Sequence, residues 1–568
     1  MKERLERGKA VTRQIREDLR RRVEEALRCA AAAGDLKLPL FPTVTIEVPR
    51  EKDHGDYATA VALGMARTEK RAPREIAEKI VRHLPKDGVG ISRIEIAGPG
   101  FINFFLAHDW LHDVLRLVQA MGSAYGQTEH GAGKKVQVEF VSANPTGPLN
   151  VVNARAAAVG DTLVRILAAS GYDAHREFYI NDAGNQVARF GLSVEARLRE
   201  LVGQKVQFPA DGYPGEYVRD LARKVLERDG EVLLGLNQEE RVRRLAEFGV
   251  REMVKDQKAL LARYGVEYEV WFSEKSLRDE GAAEKVVEVL QGRGYTYEKD
   301  GAVWFKSTIF GDDKDRVLVK SNGEFTYLVP DIAYHWNKYD RGFETVIDLL
   351  GPDHHGYIDR LRAAVEAGGY DPRSLEVIIV QMVRLIRGGR PVRISKRAGE
   401  FVTMEELLDE VGKDAARFFF LMRSADSHLD FDLDLARVQG NENPVYYVQY
   451  AHARICSILQ EAEKRGVAFP DPAEVDLTPL ATPEEVELMK KIAALPEEII
   501  EAAEAREPHR LTVYARDLAT LFHSFYTECR VLGAEPGLTA ARLVLVDCTR
   551  IVLRNVLELL GISAPERM

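Results

Sequence analysis

The stretch KVQVEFVSANPTGPLNVVNARAAAVGDTLVRILAASG, Lys135 to Gly171, decides the fold of this chain. Its opening run, KVQVEFVS, is rich in β-branched residues and predicts a strand. The run breaks at ANPTGP and continues with helical spacing from about Leu149 to Ser170, where Gly171 closes the helix. Another strand pattern, AHREFYIND, follows directly. This order of strand, turn, helix and strand predicts the start of a parallel nucleotide-binding sheet.

The turn between the first strand and its helix has the chemistry of a phosphate site. Unpaired backbone N–H groups at a helix N-terminus attract negative charge. Asn150 and Asn153 are three positions apart, so their amides share one face of the first helical turn. We therefore predict that both amides face a triphosphate. Asparagine is also a common helix cap, and the turn alone leaves that interpretation open.

A basic loop and an acidic helix start are two further candidate sites. The segment RISKRAGEF, Arg393 to Phe401, sets three cations around a serine and suits a loop that closes over polyphosphate, although solvated surface loops look similar. In YLVPDIAYHW, Tyr327 and Asp331 are four positions apart. A phenol and a carboxylate at a helix mouth suit a guanidinium ligand. Asp331 as a simple helix cap is the alternative.

Patterns along the rest of the chain predict several units. Val11, Ile15, Leu19, Val23 and Leu27 form the apolar face of a first helix, and strand patterns such as TVTIEVPR complete an α+β unit that ends near residue 107. Residues from about 190 to 300 are charged and helical, and we interpret them as an insertion into the sheet unit. VIIVQMVRLI, Val377 to Ile386, predicts one more strand, and Asn322-Gly323 predicts a hairpin turn. From about residue 404 onward, helical spacing predicts a bundle.

Composition excludes several classes of protein. The chain has 568 residues, of which 45% are hydrophobic, and a net charge of −10, which argues against a general polyanion-coating protein. Its four cysteines form no C-x-x-C pair, so thiolate zinc sites and redox dithiols are not expected. The sequence shows neither a signal peptide nor an apolar run near the roughly 20 residues that cross a bilayer. We expect a soluble, cytoplasmic protein that does not bind membranes.

Together these segments resemble the bacterial-type arginyl-tRNA synthetases, a family of class I aminoacyl-tRNA synthetases. SANPTGPLNVVNAR is similar to the HIGH-type signature with its flanks, and RISKRAGEFVT is similar to the KMSKRAG segment. The resemblance runs along essentially the whole chain, and the segments that carry it include VEFVSANPTGPL, EFYINDAGNQ, YLVPDIAYH, GPDHHGY, DAARFFFLMRS, LGISAPERM, PREKDHGDYAT and GFINF.

The resemblance implies a fold and a reaction. The fold is an α/β Rossmann-type catalytic domain with insertions, an N-terminal α+β domain and a C-terminal all-α helical bundle. L-arginine and ATP with Mg²⁺ give arginyl-adenylate and pyrophosphate, and the arginyl group then passes to tRNA(Arg). Activation of arginine in this family generally waits for bound tRNA. Mg²⁺ enters with the substrate, and we expect no permanently bound metal.

The resemblance also implies site residues. The catalytic candidates are Asn150, Asn153, Lys396 and Arg393. The ATP-binding candidates are Gly147, Asn150, Val152, Asn153, Asp353, His354, Ser395 and Lys396. The arginine-binding candidates are Glu139, Ser142, Asn144, Glu274, Tyr327 and Asp331.

Four segments with separate tasks are implied in the same way. They are an N-terminal domain, 1–110, that contacts the tRNA elbow; a catalytic domain, 125–400, with the insertion at about 190–300; a stem-contact segment, 401–440; and a helical anticodon-binding domain, 441–568. Arg387, Arg390, Arg393 and Arg397 are candidates for the acceptor stem. We expect a monomer.

The chain departs from the family pattern at one place. His-x-Gly-His is replaced by Asn150, Val151, Val152 and Asn153. Asparagine donates a hydrogen bond but carries no charge, and the Val152 side chain occupies space that glycine leaves to adenine. We expect weaker ATP binding or slower adenylation than in relatives. The alternatives are a tRNA-binding paralogue with impaired catalysis and a class I synthetase for another amino acid, which Asp331 disfavours.

Overall fold

The N-terminal unit packs helices on a small antiparallel sheet. The computed structural model describes residues 10–85, 90–392 and 402–568. The elements of this unit are α1 (Val11–Ala32), β1 (Tyr57–Thr59), α2 (Val61–Glu69), α3 (Pro73–Arg82), β2 (Ile91–Ala97) and β3 (Phe101–Leu106), with sheet order β1-β3-β2. The predicted apolar face of α1 is buried at all five positions. TVTIEVPR forms no strand, and its one bridge joins Glu47 to Ala58.

A five-stranded parallel sheet forms the centre of the catalytic unit. The elements of the catalytic unit, in chain order, are α4 (Asp109–Met121), β4 (Lys135–Glu139), α5 (Val151–Ala169), β5 (Asp173–Ile180), α6 (Asn185–Leu201), α7 (Glu216–Leu234), α8 (Gln238–Arg263), β6 (Val270–Ser273), α9 (Glu274–Asp279), α10 (Ala282–Gly292), β7 (Thr296–Lys299), β8 (Ala302–Phe305), β9 (Arg316–Val319), α11 (Leu328–Asp340), β10 (Thr345–Leu350), α12 (Ile358–Ala367) and β11 (Leu375–Ile379). The order of the parallel strands is β11-β10-β4-β5-β6.

The strand order reverses at β4, and this reversal indicates where a ligand is expected to bind. The chain moves outward from β4 to β5 and β6 and then returns to β10 on the other side of β4. In a sheet of this kind, ligands bind outside the carboxyl ends of the strands at the reversal. Glu139, the last residue of β4, pairs in register with Asp348 on β10 and with Glu177 on β5. The carboxyl edge of the sheet therefore gathers acidic residues.

The helical insertion is shorter than the sequence predicted. Its helices α6, α7 and α8 share a hydrophobic core of their own, which includes Phe190, Leu221 and Phe248. The predicted range of about 190–300 also contains β6, which is an edge strand of the parallel sheet. A four-residue strand between charged helices gives little periodicity, so the pattern hid the return of the chain to the sheet.

The predicted strand from Val377 to Ile386 is two strands in different sheets. β11 ends at Ile379, and β12 (Val383–Arg387) pairs with β13 (Arg390–Pro391) and β14 (Leu429–Asp432). A mainly apolar run does not mark the point at which a chain changes from one sheet to another. At Asn322-Gly323 the chain turns as predicted, but its second arm makes only one bridge, from Val319 to Phe325.

The C-terminal part is a helical bundle. Its elements, with those that lead into it, are α13 (Met404–Leu421), α14 (Leu433–Arg437), α15 (Pro444–Lys464), α16 (Pro483–Ala505), α17 (His509–Glu528) and α18 (Pro536–Leu559). The predicted fold class is confirmed in all three parts. Within the described ranges, the helices lack the length and apolar character that a membrane span requires.

Candidate active site

The turn after β4 has an unusual backbone. Val141 and Ser142 have positive φ values of 70° and 37°. Such values are costly for residues with a side chain, and they concentrate at functional sites. Here they turn the Ser142 hydroxyl inward, where it donates to Glu139 Oε1 over 2.8 Å and accepts from the backbone N–H of Tyr179 over 3.1 Å. The strained turn therefore connects β4 to β5 at their carboxyl ends.

Asn150 and Asn153 form a capping box at the start of α5. Asn150 Oδ1 accepts from the N–H groups of Val152 and Asn153 over 2.9 and 3.1 Å. Asn153 Oδ1 accepts from the Asn150 N–H over 2.9 Å. Both side-chain oxygens are thus used by the helix itself. Neither amide nitrogen donates to an acceptor within the described part of the chain, so both remain available to a ligand.

Other candidates lie in the turn before α5 and in the turn after β10, the strand that neighbours β4. The carbonyl oxygens of Asn144 and Gly147 face the insertion and accept from Gln257, while the Asn144 side chain is exposed. Asp353 and His354 are exposed in the short helical turn after β10, with 3.5 Å between His354 Nε2 and an oxygen of Asp353.

The four basic-loop candidates, Arg393, Ser395, Lys396 and Arg397, lie outside the described residues. The chain that follows them meets the start of α5. Thr403 pairs with Asn150 in an isolated β-bridge, and the Met404 N–H donates to the Leu149 carbonyl oxygen over 2.8 Å.

A second part of the site contains three neighbouring carboxylates, those of Glu139, Glu274 and Asp331. Glu139 is buried and accepts from Lys338 Nζ over 2.6 Å. Glu274 is buried at the start of α9 and accepts from Arg278 over 2.6 Å. Asp331, in the first turn of α11, forms no ion pair with a lysine or arginine of the described chain. The third carboxylate therefore lacks a cation, while the other two have one each.

The environment of Asp331 disfavours its negative charge. Burial raises the pKa of Asp331 to about 6, and the charges of Glu274 and Glu139 act in the same direction. The electrostatic effect of His335 opposes that shift, as does the hydroxyl of Tyr357, which donates to Asp331 Oδ2 over 2.9 Å. A bound cation would remove the cost of the buried charge. The geometry therefore suits a positively charged ligand.

The phenol that contacts Asp331 differs from the one the sequence suggested. Tyr327 is 78% exposed, and its hydroxyl forms no hydrogen bond with Asp331. Helix α11 begins at Leu328, before Pro330, which makes Tyr327 its N-cap residue and leaves its ring outside. Tyr357 takes the expected position from 26 residues further along the chain. Its proximity depends on the turn after β10, which no local pattern reveals.

A network of buried charged side chains is centred on Lys338, which is fully buried. Lys338 Nζ lies between Glu139 Oε2 and Asp348 Oδ1, at 2.6 and 2.7 Å. His335 Nε2 is 2.9 Å from the other oxygen of Asp348, and its Nδ1 is 2.7 Å from the Asp331 carbonyl oxygen. Burial works against the Lys338 charge, but the two carboxylates keep the pKa of Lys338 above its ordinary value. The network fixes α11 against β4 and β10.

Several of these residues were missed by sequence reasoning. Tyr179 lies beside Glu274 and Asp331, and burial raises its pKa. Lys338 and Asp348 look like ordinary charged residues in the sequence because their partners are distant along the chain. The described residues contain no cluster of His, Cys, Asp and Glu that could hold a metal ion.

Comparisons with known proteins cover all three parts of the fold. Residues 13–106 match the family described as arginyl tRNA synthetase N terminal domain, residues 116–424 match the catalytic domain of tRNA synthetases class I (R), and residues 448–568 match the DALR anticodon binding domain. The chain is 53% identical over 560 residues to an arginine–tRNA ligase of Heliobacterium modesticaldum, covering 97% of this chain and 99% of that protein.

Two more comparisons agree in sequence and in fold. An arginine–tRNA ligase of Moorella thermoacetica is 53% identical over 558 residues, covering 98% of this chain and 100% of that protein. The solved structure of Thermus thermophilus arginyl-tRNA synthetase superimposes with a TM-score of 0.73 at 24% identity, covering 97% of this chain and 100% of the other.

Proposed function

The chain belongs to the arginyl-tRNA synthetases of class I, and we propose that it activates arginine in the pocket of Asp331 with an asparagine pair at its ATP signature. The predicted family is confirmed, and with it the activity of an arginine–tRNA ligase. Enzymes of this class use ATP with Mg²⁺ as substrate. The proposal concerns the residues that bind arginine and ATP and position them for the reaction.

The observation that supports an arginine site is that the Asp331 carboxylate forms no ion pair with a lysine or arginine of the described chain. Its neighbours Glu139 and Glu274 already have cationic partners, whereas Asp331 accepts from the Tyr357 hydroxyl and pairs with no lysine or arginine among the described residues. A guanidinium group brings a fixed positive charge and a planar set of donors that match a carboxylate. The expected arginine-binding residues Ser142 and Asn144 belong to this proposal by family resemblance, whereas Tyr357 takes the position that was expected for Tyr327. Tyr357 and Tyr179 are additions to it.

The start of α5 is the proposed site of the ATP phosphates. The helix N-terminus supplies positive partial charge, and the side-chain nitrogens of Asn150 and Asn153 supply donors that no described residue occupies. Gly147 and Val152 would flank the nucleotide, and Asp353 and His354 would face its adenosine. Lys396, Ser395 and Arg393 would approach the phosphates from the basic loop, as the family resemblance implies.

The proposed residues position the reactants, and no enzyme nucleophile takes part. The carboxylate of arginine attacks the α-phosphorus of ATP, the bond to pyrophosphate breaks, and the negative charge moves onto the leaving group. Asp331 holds the guanidinium end, and the mechanism requires the carboxylate end to face the start of α5. The terminal adenosine hydroxyl of tRNA(Arg) then attacks the arginyl carbonyl carbon, the bond from that carbon to the phosphate oxygen breaks, and AMP leaves while the hydroxyl proton is released. Positioning and electrostatic stabilisation supply the catalysis.

The asparagine pair is expected to weaken the use of ATP. A neutral amide replaces a side chain that can carry positive charge near the transferring phosphate. Loss of a charged hydrogen-bond partner costs about 1.5–3 kcal/mol, which slows a reaction by roughly ten- to a hundredfold. The side chain of Val152, in the first turn of α5, adds bulk where the family has glycine.

The other domains are proposed to bind tRNA(Arg). The assignments are 1–110 for the elbow, 401–440 for the acceptor stem with Arg387 and Arg390 beside it, and 441–568 for the anticodon. We also propose that the protein works as a monomer in the cytoplasm. Salt-dependent tRNA binding is expected because these contacts are mainly with phosphates.

One finding favours a second candidate function. The capping box commits both side-chain oxygens of Asn150 and Asn153 to the helix, as caps without a catalytic task would. A tRNA-binding paralogue with impaired catalysis would keep the fold and lose adenylation. Arginine-dependent ATP–pyrophosphate exchange with tRNA(Arg) present separates the two functions, because only the enzyme exchanges pyrophosphate.

A further inference from the structure

Two helices of the insertion hold the turn before α5 by its backbone oxygens. Tyr217, on α7, donates its hydroxyl proton to the carbonyl oxygen of Thr146 over 2.7 Å. Gln257, on α8, donates to the carbonyl oxygens of Asn144 and Gly147 over 3.2 and 3.1 Å. Three carbonyl groups of one short turn are therefore bonded by side chains that come from outside the parallel sheet.

The turn has few other means of holding its shape. Within the described residues, the carbonyl oxygens of Asn144, Thr146 and Gly147 accept no backbone hydrogen bond. Pro145 and Pro148 have no N–H group to donate. The insertion thus supplies the hydrogen bonds that the turn itself lacks.

Gln257 is a fixed donor. Its side chain is 2% exposed, and its Oε1 bonds no atom of the described chain. The opposite orientation of the amide would set that oxygen against two carbonyl oxygens, which repel it. The two bonds from Nε2 therefore determine how the amide lies. A buried oxygen left without a partner is a cost that these two bonds offset.

Helix α8 is anchored at both ends. Leu245 and Phe248 pack in the core of the insertion, whereas Leu261 and Tyr264, at the end of the helix, pack in the main core. Arg417 donates to the Tyr264 carbonyl oxygen over 3.4 Å and forms a buried ion pair of 2.6 Å with Asp161 of α5. Gln257 lies between these two anchors, so its position relative to α5 is set by close packing on either side.

We propose that Tyr217 and Gln257 are positioning residues for adenylation: they fix the turn of residues 144–147 and so the start of α5, where the ATP phosphates bind. This inference rests on the proposed function of that site. Asn144, the turn residue expected at the arginine site, is held by only one of the three bonds, and neither Tyr217 nor Gln257 forms a hydrogen bond with Asp331 of α11. Loosening the turn is therefore expected to impair the use of ATP more than the binding of arginine.

The test compares four variants in arginine-dependent ATP–pyrophosphate exchange with tRNA(Arg). Tyr217→Phe and Gln257→Met each remove donors at nearly constant volume, and each is expected to raise KM for ATP about three- to tenfold. Gln257→Glu places acidic oxygens against the two carbonyls and is expected to raise it further. KM for arginine is expected to change by less than about twofold. Tyr213→Phe is the control, because its hydroxyl bonds no described residue.

A second measurement does not depend on catalysis. Hydrogen–deuterium exchange at the amides of Asn150, Val152 and Asn153 is expected to accelerate in Tyr217→Phe and Gln257→Met and to stay unchanged in Tyr213→Phe. If the wild-type protein shows no pyrophosphate exchange, the proposed function fails, and the amide exchange still decides this inference. Unchanged amide exchange overturns it. Equal increases in both KM values together with a lower Tm also overturn it, because they indicate a general structural role.

Discussion

Asn150 and Asn153 cap one helix by exchanging hydrogen bonds: each side-chain oxygen accepts from the other residue's backbone N–H, over 3.1 and 2.9 Å. The exchange uses the oxygens, and the two side-chain nitrogens donate to no acceptor among the described residues. One pair of residues therefore combines a structural task with a proposed catalytic one, and substitutions can separate the two.

Restoring the family pattern is expected to increase activity and reduce stability. Asn150→His, Val152→Gly and Asn153→His together supply groups that can carry charge and remove the valine side chain. Arginylation at subsaturating ATP is expected to rise about tenfold or more. Loss of the capping box is expected to cost about 1–2 kcal/mol in the free energy of unfolding. Steady-state charging and urea unfolding measure the two effects, and no gain in charging would refute the explanation of the altered signature.

Asn150→Asp separates the cap from the phosphate contact. Aspartate keeps an oxygen that accepts from the backbone N–H groups, and its charge suits a helix N-terminus, so the Tm is expected to stay constant or rise. The donor toward phosphate is replaced by a negative oxygen. Activity is expected to fall about tenfold or more through a higher KM for ATP. A variant with full activity would show that the nitrogen of Asn150 does not contact ATP.

Asp331→Asn is expected to increase the free energy of unfolding and to abolish arginine activation. Because burial raises the pKa of Asp331 to about 6 from 3.8, the folded protein holds a proton that the unfolded chain releases between these values. Stability from this group therefore increases as the pH falls through about 6 and is lowest at neutral pH. The neutral variant is expected to gain about 1–3 kcal/mol at neutral pH and to lose arginine activation. Urea unfolding at several pH values measures the gain.

The same group determines the pH dependence of arginine use. Only ionised Asp331 pairs with a guanidinium group, so kcat/KM for arginine is expected to fall about tenfold per pH unit below the pKa of about 6. The KM for ATP serves as the internal control. An arginine profile that is flat between neutral pH and pH 5 would exclude Asp331 as the guanidinium partner.

Tyr357→Phe and Tyr327→Phe form a matched pair. The Tyr357 hydroxyl lowers the pKa of Asp331, so its removal is expected to raise that pKa and to increase KM for arginine about three- to tenfold. Tyr327 is exposed, and its substitution is expected to change KM for arginine by less than about twofold. The opposite order of effects would restore the assignment that the sequence suggested.

What the sequence predicted depended on local patterns. The helix from Leu149 to Ser170 differs from α5 by only one or two residues, since its turn, spacing and closing glycine are adjacent in the chain. Asp331 was a candidate for the same reason, because it follows a proline at a helix start. The parallel sheet followed from one strand, turn, helix and strand.

What the sequence did not predict depends on long-range contacts. Tyr357 reaches Asp331 only because β10 and α11 are neighbours in the fold, and Gln257 meets Gly147 from 110 positions away. β6 was assigned to the insertion because four residues give no periodicity. No local signal distinguishes Lys338 from a surface lysine, although it is fully buried between two carboxylates.

The most direct test of the account is amino-acid-dependent ATP–pyrophosphate exchange by the wild-type protein with saturating tRNA(Arg). We expect exchange with L-arginine, none above background with other amino acids, and loss of the arginine signal in Asp331→Asn. Absence of exchange with arginine, from protein that still binds tRNA(Arg), would contradict the account and identify a paralogue that has lost adenylation.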